Sequence, residues 1–224
     1  MSKLLALVPV LLATSTFAAT ESRKVTDFTE IEVADGVTLE VKKGAPSLTI
    51  EGDEKSIALY TTEVVAGRLR IFRKERGVFR TSREVVVKVS TPTLKRIEAS
   101  GGVNATLDSV TDKQFAASLS GGVELNAKGV NADLFDLDAS GGVTVRADGT
   151  AKNAKLHASG GVGVKAKELK IASVDLDASG GCSLEVTAKE SISGEISGGV
   201  DVKVYGNPKS RVRSSGGADV NYVQ

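Results

Sequence analysis

Ser100-Gly101-Gly102-Val103 is followed by six variants of itself, and this repetition decides the fold. The copies are Ser120-Gly121-Gly122-Val123, Ser140-Gly141-Gly142-Val143, Ser159-Gly160-Gly161-Val162, Ser179-Gly180-Gly181-Cys182, Ser197-Gly198-Gly199-Val200 and Ser215-Gly216-Gly217-Ala218. Their serines lie 20, 20, 19, 20, 18 and 18 residues apart, a near-constant period that marks stacked structural repeats. Paired glycines allow a sharp corner that a Cβ would obstruct, with positive φ open to them.

Residues around each corner fall into columns. Five, three and one positions before the serine stand Phe115, Ala117, Leu119; Phe135, Leu137, Ala139; Ala154, Leu156, Ala158; and Val174, Leu176, Ala178. Three, five and seven positions after it stand Val123, Leu125, Ala127; Val143, Val145, Ala147; Val162, Val164, Ala166; Cys182, Leu184, Val186; and Val200, Val202, Val204. Each repeat therefore supplies two strands of period two whose apolar faces point the same way. Independent hairpins give no reason for the same residue types to recur in columns. A coiled chain whose equivalent strands stack in parallel, ~4.8 Å apart, does. The expected fold is all-β: a single-stranded, right-handed parallel β-helix of about seven Ser-Gly-Gly-cornered rungs, its hand following the rule for parallel crossovers. The third side of each coil varies, as in Asp108 to Gln114 against Lys167 to Ser173, and is expected to carry protruding loops.

Upstream, Phe28 to Val41 alternates apolar and polar residues on both sides of Asp35-Gly36 and reads as a degenerate repeat. Strand-like runs follow at Ser47 to Glu51, Thr61 to Val65, Arg68 to Phe72 and Glu84 to Ser90, with a hairpin turn at Ala66-Gly67 and one helical turn within Asp53 to Leu59. Residues 25–92 are expected to form an N-terminal β cap leading directly into the array at 93–224, with 19–24 as a short linker. Lys3, the apolar run Leu4 to Ala13 and Thr16-Phe17-Ala18 have the layout of a signal peptide, with cleavage expected after Ala18. That run is too short to span a bilayer and contains Pro9. No cysteine stands near the expected cleavage site for lipid anchoring, so a periplasmic or secreted location is expected.

Losing Lys3 with the leader brings the 29 basic residues into balance with the 28 acidic ones. No net charge then draws the chain to nucleic acid. One histidine and one cysteine are too few for a His/Cys zinc site, and no metal or other cofactor is expected. Cys182 falls in the valine column and reads as a small buried hydrophobe.

The phenylalanine-led strand pair, Glu51-Gly52-Asp53-Glu54, the Thr91-Pro92 lead-in and the Ser-Gly-Gly array together resemble the autotransporter adhesin head GIN domain family of Gram-negative bacteria, over about Val25 to Val223. The resemblance implies a single-stranded right-handed β-helix, similar in outline to pectin-lyase-like folds, without recognised catalytic residues and linked to adhesion. No heptad stalk or translocator barrel follows Val220, so the chain is not expected to be an autotransporter in itself.

Two polar constellations are candidate binding sites. The outward column two positions before each serine reads Glu98, Ser118, Asp138, His157, Asp177, Glu195, Arg213. The column four positions before it reads Arg96, Ala116, Asp136, Lys155, Asp175, Ser193, Arg211. Stacking sets His157 between Asp138 and Asp177, and Lys155 between Asp136 and Asp175. Alternating charge up a ladder is itself a sufficient structural reason for this pattern. The enzymatic alternative is a polysaccharide lyase or hydrolase using Asp136, Asp138, His157 and Asp177. Asp138 and Asp177 would lie two rungs, about 9.6 Å, apart, but His157 would occupy the space an inverting enzyme leaves for water. The second constellation is the basic run Arg68, Arg70, Arg73, Lys74, Arg76, Arg80, Arg83, which could dock an anionic polymer or simply protect an edge strand. The expected function is that of an exported, non-enzymatic β-helix presenting its surface to a cell-surface polysaccharide or another envelope macromolecule.

Overall fold

The computed structural model describes residues 19–74 and 85–223, and the leader-like segment 1–18 lies outside them. In chain order the elements are β1 (Ala19–Arg23), β2 (Glu30–Ala34), β3 (Val37–Lys43), β4 (Ser47–Gly52), α1 (Glu54–Ile57), β5 (Tyr60–Val65), β6 (Arg68–Arg73), β7 (Val85–Thr91), β8 (Arg96–Ser100) and β9 (Val103–Asp108). Then come β10 (Gln114–Gly160), β11 (Gly163–Gly180), β12 (Ser183–Gly198), β13 (Asp201–Tyr205), β14 (Lys209–Gly216) and β15 (Asp219–Val223). β10, β11 and β12 are continuous strands that bend around the corners of the coil.

The expected parallel stacking is present, residue on equivalent residue. Ser100 pairs with Ser120 where β8 meets β10, and Ser159, Ser179, Ser197 and Ser215 pair in turn through β10, β11, β12 and β14. Beyond the corner, Val103 pairs with Val123, and Val164 with Leu184, Val202 and Val220 through β11, β12, β13 and β15. The columns thus become ladders inside one β-solenoid, and the residues predicted to be apolar and inward form its buried core. Phe115 and Phe135, stacked from successive rungs with ring centroids 5.9 Å apart, are among its largest fully buried side chains.

At every Ser-Gly-Gly corner the first glycine takes positive φ, from 69° at Gly101 to 94° at Gly180. A Cβ on Gly180 would sit 3.0 Å from the backbone of Gly160 in the rung below. The second glycine needs positive φ only at Gly102. Its role elsewhere is to keep the turn close, with Gly161, Gly181 and Gly199 each donating their N–H to the rung below.

The third side departs from expectation. It stays largely within the ladder: Gly149, Thr150 and Ala151 pair with Leu169, Lys170 and Ile171, and register shifts at Arg146/Gly149, Ala166/Lys170 and Ile171/Ser173 absorb the variable lengths. Val110, Val130, Leu169, Ile171 and Ala188 are buried there, so burial of a third apolar face holds these residues against the core.

The N-terminal region corrects the sequence reading in two ways. Ala19–Arg23, expected as a linker, is β1 and pairs antiparallel with β4, which pairs antiparallel with β7. Arg23 ties it down by donating to the Tyr60 carbonyl and the Thr62 hydroxyl. The cap also does not feed rung by rung into the array. β2 and β3 lie directly against β8 and β9, while β6 and β7, later in sequence, lie on their outer side. Asp35-Gly36 sits in register with the corner Gly101-Gly102, and both residues take positive φ. The chain then steps back past this coil at Thr91-Pro92, where the buried Thr91 hydroxyl bonds to the Phe28 carbonyl. β5 closes the outer edge as a hairpin with β6, through Ala66 and Gly67 at φ 51° and 76°. Asp53 caps α1 by accepting from Ser56 N–H.

Candidate functional site

Because Cβ directions alternate along a strand, the residues between the buried columns must face solvent. On the pre-serine face they line an open groove of about 810 Å³. Its floor follows the column Glu32, Glu98, Ser118, Asp138, His157, Asp177, Glu195, and its rim carries Ser100, Ser120, Ser140, Ser159, Ser179 and Ser197. Five carboxylates and seven hydroxyls line it, with no lysine or arginine among the lining residues. Backbone N–H and C=O groups on this face bond along the solenoid axis from rung to rung, so recognition here falls to side chains.

Register places His157 opposite Asp177, with its Nδ1 3.5 Å from the carboxylate. Asp177 also accepts from the Glu195 backbone N–H at 3.2 Å, and Glu195 in turn meets Arg213 at 3.3 Å. Asp138 stands three residues before Gly141, which stacks under Gly160 three residues after His157, so His157 occupies the rung between the two aspartates. The groove thus brings together Asp138, His157 and Asp177.

The column four positions before the serine is directed elsewhere. Lys155 pairs with Asp175 across β10 and β11, and Ser193 donates to Asp175 at 3.5 Å. Lys155 and Asp175 line a separate depression of about 560 Å³ with Lys113, Asp133 and Asn153. There the hydrogen bond from Lys152 holds Asp133 below the usual carboxylate range. Asp136 is half-buried and lines neither hollow. Of the four residues of the enzymatic reading, the groove therefore holds Asp138, His157 and Asp177 but not Asp136.

The basic run is embedded in carboxylates. Arg68 bonds to Glu30 at 2.8 Å and to Glu98 at 3.3 Å, and Arg70 to Glu32 at 3.0 Å and Glu63 at 2.9 Å. The hydrogen bond that Arg68 donates to Glu30, reinforced by nearby Glu98 and Glu32, pushes its guanidinium further up its already high range. Arg73 lies over the Tyr60 ring, its Nε and one terminal nitrogen buried without a hydrogen-bond partner among the described residues. Lys74 is exposed. Arg76, Arg80 and Arg83 lie outside the described residues.

Glu32 is a groove residue that the outward column expected from the sequence, which begins at Glu98, leaves out. Its signal was the Asp35-Gly36 corner, which in register with Gly101-Gly102 sets Glu32 opposite Glu98. Cys182 is buried, its Sγ donating to the Ser179 and Gly160 carbonyls, as suits a small core residue. Among the described residues no group of three or more His, Cys, Asp or Glu is placed to hold a metal ion, and no helix is long and apolar enough to cross a membrane.

Comparison with solved structures supports the fold. A crystal structure described as a "putative adhesin" from Bacteroides fragilis superposes with a TM-score of 0.86 at 19% identity, covering 93% of this chain and 98% of that one. A "putative lipid binding protein" from Parabacteroides distasonis superposes with a TM-score of 0.71 at 19% identity, over 92% and 96% of the two chains. A "putative adhesin" from Parabacteroides merdae does so with 0.70 at 18% identity, over the same shares. No curated protein sequence matches the chain. The family described as "Putative auto-transporter adhesin, head GIN domain" matches residues 27–208. With that match spanning most of the solenoid, from just before β2 to the residue before β14, the chain belongs to the auto-transporter adhesin head GIN domain family.

Proposed function

We propose that this protein is an exported, non-enzymatic, adhesin-like module that holds a cell-surface or envelope polysaccharide along the serine-edged groove. The observation that carries this reading is the groove itself, a continuous track repeating carboxylate and hydroxyl groups from Glu32 to Ser197. Carboxylates accept hydrogen bonds and serine hydroxyls both donate and accept, which suits the dense hydroxyls of a glycan chain. A periodic ligand meets a periodic surface, so weak contacts repeated along the rungs add by avidity. Five carboxylates with no lysine or arginine in the lining favour neutral or amine-bearing glycans over anionic ones. Family membership supports the adhesin-like role, and the leader-like segment supports export.

Binding of the purified protein to immobilised neutral, amine-bearing and anionic polysaccharides tests the proposal. Replacing Asp138 and Asp177 together with Asn is expected to weaken binding about ten-fold or more, with the thermal unfolding midpoint unchanged. Retention on lipid vesicles without retention on any glycan would overturn it. So would polysaccharide cleavage that Asp138→Asn abolishes. N-terminal sequencing of the native protein is expected to begin at residue 19.

A further inference from the structure

The last described rung is paired on one side only, β14 to β12 and β15 to β13. Register continues the inward columns through Ser210, Val212 and Ser214 on β14 and through Val220 and Tyr222 on β15, with Ala218 just before it. Val212, Ala218 and Val220 are only partly buried against the core. Tyr222 and Val223 are 47% and 37% exposed, two of the three exposed large hydrophobic residues described. On the outward side Asp219 stacks on Asp201, a like-charge pair that joins none of the ion pairs among the described residues. β14 carries Lys209, Arg211 and Arg213 on its outward positions.

We propose that this edge pairs with the same edge of a second copy, tail to tail, about a two-fold axis through Gly216. In an antiparallel register with Gly216 meeting its own copy, every inward residue meets an inward residue. Val212 then faces Val220 of the second copy, Ser214 faces its Ala218, and Ser210 faces its Tyr222. Among outward residues, Arg213 meets Asp219 of the second copy and Arg211 meets its Asn221. The symmetric contact repeats each of these twice, covers the partly exposed valines and sets a cation beside the Asp201/Asp219 stack. Gly216, at φ 72°, presents no side chain on the axis. This pairing goes beyond the groove and does not depend on what the groove holds.

Sedimentation of the purified chain over a range of concentrations tests it. A mass rising with concentration to twice the monomer, and no further, is expected. Asp219→Arg is expected to weaken the dimer about ten-fold or more, and Arg213→Asp combined with Asp219→Arg to restore it. The pair Arg213→Cys and Asp219→Cys is expected to oxidise to a covalent dimer. A concentration-independent monomer would show that the charges of β14 guard the edge, and would overturn the proposal. Open-ended association beyond the dimer, or a charge swap that fails to restore pairing in variants with native circular dichroism, would overturn it equally.

Discussion

The Ser-Gly-Gly coils and the N-terminal coils bury similar aliphatic columns, yet they are held in register by different means. In the array, each coil lies on its sequence neighbour, and repeated glycine corners bring backbone against backbone. In the N-terminal region, the β2/β3 coil lies between the β6/β7 and β8/β9 coils, so spatial order departs from sequence order, and the outward face is joined by Arg68 and Arg70 to Glu30, Glu32, Glu63 and Glu98. The difference shows two routes to one architecture. A repeat fixes register by backbone proximity, whereas a non-repeating coil relies on side-chain patterning over long sequence separations. Array stability should therefore be most sensitive to added atoms at the backbone, and cap stability to changes in its side chains.

The strongest way to break the array is at Gly194, which occupies a column where the coils before it carry Leu137, Leu156 and Leu176. Its φ is 136°, and an added Cβ would lie 1.9 Å from the Leu176 carbonyl oxygen. Gly194→Ala is expected to cost more than about 4 kcal/mol, seen as loss of cooperative unfolding or of soluble protein. Phe135→Ala, which opens the Phe115 layer without touching the backbone, is expected to cost about 3–5 kcal/mol in urea unfolding. A finer comparison lies within one corner. Gly180→Ala meets positive φ and the Gly160 backbone at 3.0 Å, and should cost at least about 1–2 kcal/mol. Gly181→Ala has 3.9 Å of room and ordinary φ, and should fall within about 0.5 kcal/mol of the parent. Equal effects at the two positions would refute the assignment of the turn to the first glycine. The effect in the cap is small as well: Arg68→Met should cost no more than about 1 kcal/mol, because its ion pairs are about one-third exposed. Added salt should shrink that difference.

The groove and the basic run show why the site was only partly legible. The column from Glu98 to Glu195 could be read directly, because corners at a near-constant period align it. That His157 and Asp138 face the groove while Lys155 and Asp175 face a different hollow depends on how the coil bends between its sides. Arg68 and Arg70 read as a basic run along the chain, but their neutralising carboxylates come from β2, β5 and β8. Only folding brings those charges within hydrogen-bonding distance.

By itself the sequence determined the coil, its corner and its core, because a period of about 20 residues with alternating apolar columns has one efficient way to bury every column at once. The tertiary structure alone decided the order of the N-terminal coils. β2 is paired on both edges to similar aliphatic residues, Leu69 and Ile71 of β6 and Ile97 and Ala99 of β8, so local pattern does not choose between them. The choice rests on contacts made together: the Asp35-Gly36 corner stacking on Gly101-Gly102, the Thr91 crossover bonding to Phe28, and β1 and β5 closing the outer edges. Such contacts join residues far apart along the chain, and their net worth is settled only when the whole cap has formed.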